Sequence, residues 1–302
     1  MPVDLYIGGA EHAVLHLLYA RFWHKVLYDL QLVSTPEPFQ KLVNQGLILG
    51  EDNEKMSKSR GNVVNPDDVI NAHGADAFRL YEMFLGPLEA VKPWSTRSIE
   101  GVDRFLNRVW RLGELAASFK LHASGRKPPA AGEEYAKGGM EVERKRHETI
   151  KRVTEDVERL RLNTAISAMM EFVNALEDAV RQPVAGSLKP EAIRQAVETL
   201  VLLLSPFAPH LCEELWQRLG HAESLAHAPW PTFDPVALEQ ADILLVVQVN
   251  GKTRARLTVP AGASAEQLKR LVLSDQQVKK FVDGHPIKQF IIVPKRLVNI
   301  VV

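Results

Sequence analysis

The rhythm of hydrophobic and polar positions changes along the 302 residues, and each change marks a different kind of structure. In the first ninety-odd residues short apolar runs alternate with helical spacing. V-D-L-Y-I (3–7) reads as a buried strand entering the pair Gly8-Gly9, and Leu15, Leu18, Phe22 and Val26 recur at helical intervals over 11–30. The same reading predicts a helix over 38–45 and a strand in L-I-L-G (47–50), the one clear partner for the first strand. Two helices follow. The first has a start signal, with Asn65 as cap, Pro66 at the first position and Asp67 and Asp68 in the first turn, and a stop at Gly74.

From Ser98 to about Leu219 the spacing is helical throughout. Val102, Phe105, Val109 and Leu112 share one face, and Arg104, Arg108 and Arg111 fall on a face expected to be solvated. A proline- and glycine-rich break begins at S-G-R-K-P-P (124–129). Helices are then expected around 141–160, 164–181 and 190–204, and another restarts after Pro206 and Pro209 and stops at Gly220. Phe207 and Trp216 read as bundle core. Residues 225–241 gather Pro229, Pro231 and Pro235 around Trp230, an extended connector. Beyond Ala241 the period becomes two: a hairpin turns at Asn250-Gly251, two short helices occupy 264–273 and 275–282, and strands run over 287–293 and 297–302.

These patterns predict a multidomain α/β plus α chain. Its units are an α/β portion over 1–97, an antiparallel helix bundle over 98–224, the connector 225–241 and a small α+β domain over 242–302. A parallel sheet that begins at residue 3 with one partner strand is expected to be incomplete. Hydrophobic content of 46% and charged content of 25% are ordinary for a soluble globular protein. Lysine plus arginine equals aspartate plus glutamate at 37 each, so any nucleic-acid surface must be local. Such a concentration exists: from Asp242 onward ten basic side chains face four acidic ones, a net +6, and Arg254 and Arg256 share a strand face by the period of two. The single cysteine, Cys212, excludes an internal disulfide framework and a cysteine zinc site, and points to the cytoplasm. No apolar run reaches the roughly 20 residues of a membrane span, and no secretory signal opens the chain.

The candidate chemistry lies in E-D-N-E-K-M-S-K-S-R-G-N (51–62). A short lysine-rich stretch is usually a solvated turn. This one leaves an apolar strand in an α/β zone and leads to a capped helix, the topological position where such sheets bind ligands. The ammonium groups of Lys55 and Lys58 suit phosphate oxygens whose charge grows during attack at phosphorus. Ser57 and Ser59 add hydroxyls, and Gly61 lets the backbone fold closely. The glycines of a Walker A loop are missing, so the nucleotide handling is of another kind. G-G-A-E-H (8–12) is the second candidate: a strand-to-helix turn whose glycines admit a ribose or base, with Glu11 as an acceptor for ribose hydroxyls. His16 lies one helical turn after His12, so both can face one site.

K-M-S-K-S (55–59) resembles the signature loop of class I aminoacyl-tRNA synthetases, and the segments around it resemble bacterial leucyl-tRNA synthetases. Those segments include D-L-Y-I-G-G-A-E-H (4–12), G-A-D-A-F-R-L-Y (74–81), K-P-W-S-T (92–96), R-F-L-N-R-V-W-R (104–111), N-T-A-I-S-A-M-M-E-F (163–172), S-P-F-A-P-H-L-C-E-E-L-W (205–216), V-Q-V-N-G-K-T-R (247–254) and the final L-V-N-I-V-V, in order along the whole chain. The resemblance implies the second half of a Rossmann-like nucleotide fold. It also implies ATP-dependent activation of leucine and transfer to tRNA-Leu, with ATP as substrate, Mg2+ accompanying it and no resident metal. In that pattern Lys58, assisted by Lys55, binds the ATP phosphates and stabilises departing pyrophosphate. Met56, Ser57, Ser59, Gly8, Gly9, Glu11, His12 and His16 line the ATP and adenosine side. The bundle is implied to contact the anticodon stem, and the last domain to dock on the tRNA elbow through Lys252, Arg254, Arg256, Lys295 and Arg296. Valyl- and isoleucyl-tRNA synthetases share the loop and bundle, but the terminal segments favour the leucine enzyme.

The departures matter equally. No His-x-Gly-His motif occurs in the chain, and the editing domain of the family is absent; both would precede residue 1. The missing N-terminal half is therefore an expected partner, and the isolated chain is expected to be inactive. A C-terminal subunit of a split synthetase and a stand-alone tRNA-binding module are the alternatives. Retention of both lysines and of G-G-A-E-H argues against the second.

Overall fold

The computed structural model describes residues 1–119, 137–181, 190–238, 242–260, 263–282, 284, 286–293 and 296–302; most of the break after Ser124 falls outside them. Contacts divide the chain into Met1–Phe233 and Asp234–Val302.

In the first unit β1 (Tyr6–Gly9) pairs in parallel with β2 (Leu42–Gln45), Tyr6 opposite Leu42 and Gly9 opposite Gln45. This corrects two expectations. Residues 42–45 form a strand in place of the second half of a helix, and the partner of β1 is this strand, not 47–50. Val3 holds the approach in extended register, donating to the carbonyl of Pro38 and accepting from Gln40 at 2.8 Å each, so 38–45 is drawn out alongside the first strand. β3 (Ile48–Leu49) pairs instead with β4 (Lys92–Pro93), again in parallel.

Between β1 and β2 the chain makes one 3-10 turn (Ala10–His12) and one π turn (Ala13–Leu17), and regular helix α1 begins only at Leu18, running to Asp29. Its apolar side faces outward: Leu18, Tyr19, Phe22 and Trp23, with Val14 of the π turn before it, are all more than half exposed. Its one buried side chain is polar. His24 is buried with Nε2 at 2.7 Å from the Thr35 carbonyl, and Arg21 and Lys25 both pair with Glu37, at 2.8 and 3.0 Å. Hydrogen bonds from these two cations hold the Glu37 carboxyl down at about 2.

α2 (Pro66–His73) starts as its sequence dictates, with the Asn65 side chain accepting from Asp67 N–H at 3.2 Å, and ends at Gly74, whose φ of 87° suits glycine. α3 (Ala75–Phe84) leads through β4 into α4 (Thr96–Ser118), and α5 (Lys137–Glu158), α6 (Leu162–Arg181), α7 (Pro190–Leu204) and α8 (Pro209–Arg218) pack with it around one core. Val102, Phe105, Val109 and Leu112 of α4 are buried, as are Phe172, Leu200, Phe207 and Trp216. A Cβ on Gly113 would lie 2.4 Å from a Leu215 methyl, so α4 and α8 approach closely there. Arg108 departs from its expected solvated setting: it spans to α6, pairing with Glu177 at 3.1 Å and donating to Asn174 at 2.6 Å. Arg104 remains well exposed. Trp230 of the connector donates to the Thr154 hydroxyl at 2.8 Å.

In the second unit β5 (Asp242–Val249), β6 (Lys252–Pro260), β7 (Gln289–Val293) and β8 (Leu297–Val301) form one sheet in the order β6-β5-β8-β7. β5 and β8 run in parallel and the other neighbours antiparallel. α9 (Ala265–Ser274), with a capping box between Ser264 and Gln267, and α10 (Gln276–Val282) contribute Leu268, Val272, Val278 and Val282 to a core shared with Leu245, Val247, Val298 and Ile300. The hairpin turns at Asn250 and Gly251, with φ of 51° and 78°. The chain is helix-rich with small sheets, a multidomain α/β protein. No helix among the described residues is long and apolar enough to cross a membrane.

Candidate nucleotide site and nucleic-acid surface

The lysine loop leaves β3 at Gly50 and is closed at its base by side chains that sequence reasoning passed over. Asp52 accepts both from Glu54 N–H and from Asn62 Nδ2, each at 3.1 Å, while Asn62 Oδ1 accepts from Ser57 N–H at 2.9 Å. Those bonds hold the Asp52 carboxyl below the usual carboxylate range, the backbone bond from Glu54 contributing most. Asn62 thus ties the outgoing limb to the incoming one across K-M-S-K-S. Its place directly after Gly61 and ten residues beyond an aspartate was the available signal.

Inside the loop the Ser57 and Ser59 hydroxyls lie 3.2 Å apart, and Met56 is half-buried against the core of the unit. Lys55 and Lys58 are exposed, and among the described residues neither ammonium group meets a carboxylate. The neighbouring cation Arg60 is neutralised by Glu54 at 2.9 Å. Two uncompensated charges on a loop with a stapled base can receive a polyanion without first breaking an ion pair.

In G-G-A-E-H the two glycines close β1, opposite Asn44 and Gln45, and Ala10–His12 make the turn that follows. The Glu11 carboxylate folds back against Gly9, where a Cβ would stand 2.2 Å from it. His12 and His16 come together, their ring centroids 6.4 Å apart and edge to face, and His16 Nε2 lies 2.6 Å from the Tyr6 hydroxyl. Gly8 has Tyr6 as its side-chain neighbour.

In the second unit Arg254 and Arg256 do not share a face. A bulge between Val247 and Gln248 leaves Arg254 without a cross-strand partner: Val247 opposes Ala255, and Gln248 opposes Thr253. The Arg254 guanidinium reaches the α10 side and lies 4.2 Å from the centre of the Phe281 ring. Arg256 stands opposite Val246, away from the core residues Leu245 and Val247. Lys252 and Arg256 are exposed, Arg296 follows the close of β7, and Lys295 lies outside the described residues.

Two family models match, "tRNA synthetases class I (I, L, M and V)" over residues 2–91 and "Anticodon-binding domain of tRNA ligase" over 140–269. A leucine–tRNA ligase of Chlorobium phaeobacteroides is 54% identical over all of this chain and 35% of its own length; that of Prosthecochloris aestuarii is 55% identical with the same coverage. The chain spans about a third of the length of the curated relatives it matches, at their C-terminal part. Among solved structures, the Agrobacterium radiobacter LeuRS–tRNA–LeuAMS ternary complex superposes with a TM-score of 0.81 at 35% identity, over 100% of this chain and 38% of that one. Mycobacterium tuberculosis methionyl-tRNA synthetase matches in fold alone, with a TM-score of 0.56 at 20% identity over 78% of this chain and 49% of that one. The chain belongs to the leucine–tRNA ligase family of class I aminoacyl-tRNA synthetases, matching its C-terminal part.

Proposed function

We propose that this chain supplies a leucine–tRNA ligase with its phosphate-binding lysines, part of its adenosine pocket and its tRNA-docking surfaces. The reading rests above all on the two unpaired ammonium groups of Lys55 and Lys58, on a loop whose base is stapled by Asn62. In adenylate formation the leucine carboxylate attacks the α-phosphorus of ATP, and the bond to the β,γ-bridged pyrophosphate breaks. Negative charge then accumulates on the leaving group, where Lys58 stabilises it and Lys55 assists. Ser57 and Ser59 donate to the same oxygens. Mg2+ enters as part of the nucleotide substrate.

The parallel pairs β1–β2 and β3–β4, each with a candidate loop at a carboxyl end, support assigning residues 1–97 to the second half of a Rossmann-like fold. The outward apolar side of α1 supports a further layer, which in the relatives the preceding part of the protein would provide. On the adenosine side, Gly8 and Gly9 give backbone access, Glu11 accepts from the ribose, and His12 and His16 flank the nucleotide. tRNA-Leu would be held by the bundle of 98–224 and by the basic domain of 242–302 beyond the connector 225–241, with Lys252, Arg256, Lys295 and Arg296 at its phosphates, while Arg254 is engaged with Phe281. The residues alone would bind tRNA weakly without charging it.

The deciding experiment joins the chain to the part that precedes it in its relatives and measures leucine-dependent ATP–pyrophosphate exchange and leucylation. Exchange that depends on Lys58 supports the reading. Exchange indifferent to Lys58 removes the phosphate role of the loop, and no exchange at all, with tRNA still bound, leaves a tRNA-binding module.

A further inference from the structure

The lysine loop is tied to the helical bundle at both of its limbs. On the incoming limb Glu51, the residue after Gly50, turns its carboxylate onto the start of α4: Oε1 accepts from Thr96 N–H at 2.8 Å. That bond is a cap supplied from 45 residues away. Ser95, the local N-cap of α4, makes no side-chain cap. Its carbonyl and N–H are both taken by the Tyr81 hydroxyl, at 2.8 and 3.0 Å, and its own hydroxyl accepts from Ser98 at 2.9 Å. The Thr96 hydroxyl is likewise occupied, accepting from Trp94 Nε1 at 3.0 Å. The free N–H groups and positive dipole end of a helix favour a carboxylate at that position. Accordingly the bonds from Thr96 hold the Glu51 carboxyl below its ordinary range. On the outgoing limb, α2 ends at His73, whose Nδ1 lies 2.6 Å from Asp103 Oδ2, about two turns along the same helix α4.

We propose that Glu51 is a positioning residue for the ammonium groups of Lys55 and Lys58. By fastening the root of the loop to the first turn of α4, it keeps the loop in the arrangement that receives the ATP phosphates. The inference rests on the reading of those lysines given above. Glu51 touches no substrate and acts through the loop. When the competent arrangement is only a fraction of the population, apparent affinity falls by that fraction while the bound state reacts at its own rate. Loss of Glu51 therefore raises the KM for ATP more than it lowers kcat.

The test is leucine-dependent ATP–pyrophosphate exchange with the chain as the C-terminal part of a complete leucine–tRNA ligase. Glu51→Ala, Glu51→Gln and Lys58→Ala are compared with the parent. Glu51→Ala raises the KM for ATP about tenfold, with kcat and the KM for leucine within about twofold, while loss of the cap lowers the melting temperature by a few degrees at most. Glu51→Gln keeps an acceptor oxygen for Thr96 N–H and stays within about twofold of the parent in every constant. A Glu51→Ala enzyme with the parent KM for ATP overturns the proposal, as does a Glu51→Gln enzyme as impaired as the alanine variant. A lowered melting temperature with kcat and KM equally affected makes Glu51 a structural cap only, and also overturns it. Lys58→Ala separates the two levels: if it leaves exchange intact the phosphate reading itself falls, whereas an inactive Lys58→Ala beside an unaffected Glu51→Ala removes only the role of Glu51.

Discussion

Asp76 caps a helix to which it does not belong. Its Oδ2 accepts from the backbone N–H of Leu211 at 2.7 Å, and its Oδ1 accepts from His210 N–H at 3.3 Å and lies 2.9 Å from His210 Nδ1. Asp76 is in the first turn of α3, and α8, beginning at Pro209 after Ala208, has no side-chain cap of its own. Three residues on, Arg79 donates to the Pro206 carbonyl at 2.9 Å. G-A-D-A-F-R and S-P-F-A-P-H, far apart in sequence, are thus two halves of one joint. Asp76→Ala should cost about 1–2 kcal/mol, the usual worth of a lost cap. In a unit of this size that lowers the melting temperature by about 3–6 °C by circular dichroism. A melting curve that coincides with the parent would show the joint to be energetically idle.

Lys58→Ala in a complete enzyme should slow adenylate formation by a factor on the order of 100 to 1,000, the worth of one preorganised donor to a developing anion. Lys55→Ala should cost less. Both side chains are exposed, so neither change should move the melting temperature.

The bulge in β6 divides the labour of its two arginines. Arg256→Ala should reduce the slope of log K against log salt for tRNA-Leu binding by about 1, as expected for one phosphate contact. Arg254→Ala withdraws a guanidinium from the Phe281 ring and should cost the domain about 0.5–1 kcal/mol of folding stability, read by urea titration. Identical salt slopes for the parent and Arg256→Ala would remove Arg256 from the interface.

Glu143 gives the bundle an acid limit. Burial opposes its ionisation, but hydrogen bonds from Arg146 and His147 outweigh that and hold its carboxyl down at about 2. A carboxylate depressed on folding contributes fully above the ordinary carboxylate range, and the contribution is lost as pH falls toward the folded value. Stability should therefore decline between about pH 4.5 and pH 2 by about 2 kcal/mol from this group, allowing for its partial exposure. Glu143→Gln should flatten acid unfolding in that window; an unchanged slope would assign the acid sensitivity elsewhere.

What the sequence made legible was local. Asn65, Pro66 and Gly74 bound α2 because a cap, a fixed φ and a left-handed stop act within a few residues. Val102, Phe105, Val109 and Leu112 declared their face because helical spacing needs no knowledge of the partner. Residues 42–45 were opaque for the opposite reason: L-V-N-Q becomes a strand only because β1 lies beside it. The separation of Arg254 from Arg256 depends on a bulge, which belongs to a pair of strands and not to either one. Likewise, the pairing of Arg108 with Glu177 requires knowing which helix faces α4. At the candidate site the two exposed cations could be read, because lysines on a glycine-bearing loop are legible one residue at a time. Their supports, Asn62 and Glu51, could not, since each acts on a backbone group several to many residues away.

The outward rings of Phe22 and Trp23 have a practical corollary for whoever purifies these 302 residues. Hydrocarbon left in water seeks cover, so the polypeptide on its own should self-associate as its concentration rises and brighten dyes that report greasy surfaces. Replacing those rings with glutamine should quiet both behaviours while leaving the bundle's cooperative melt as it was.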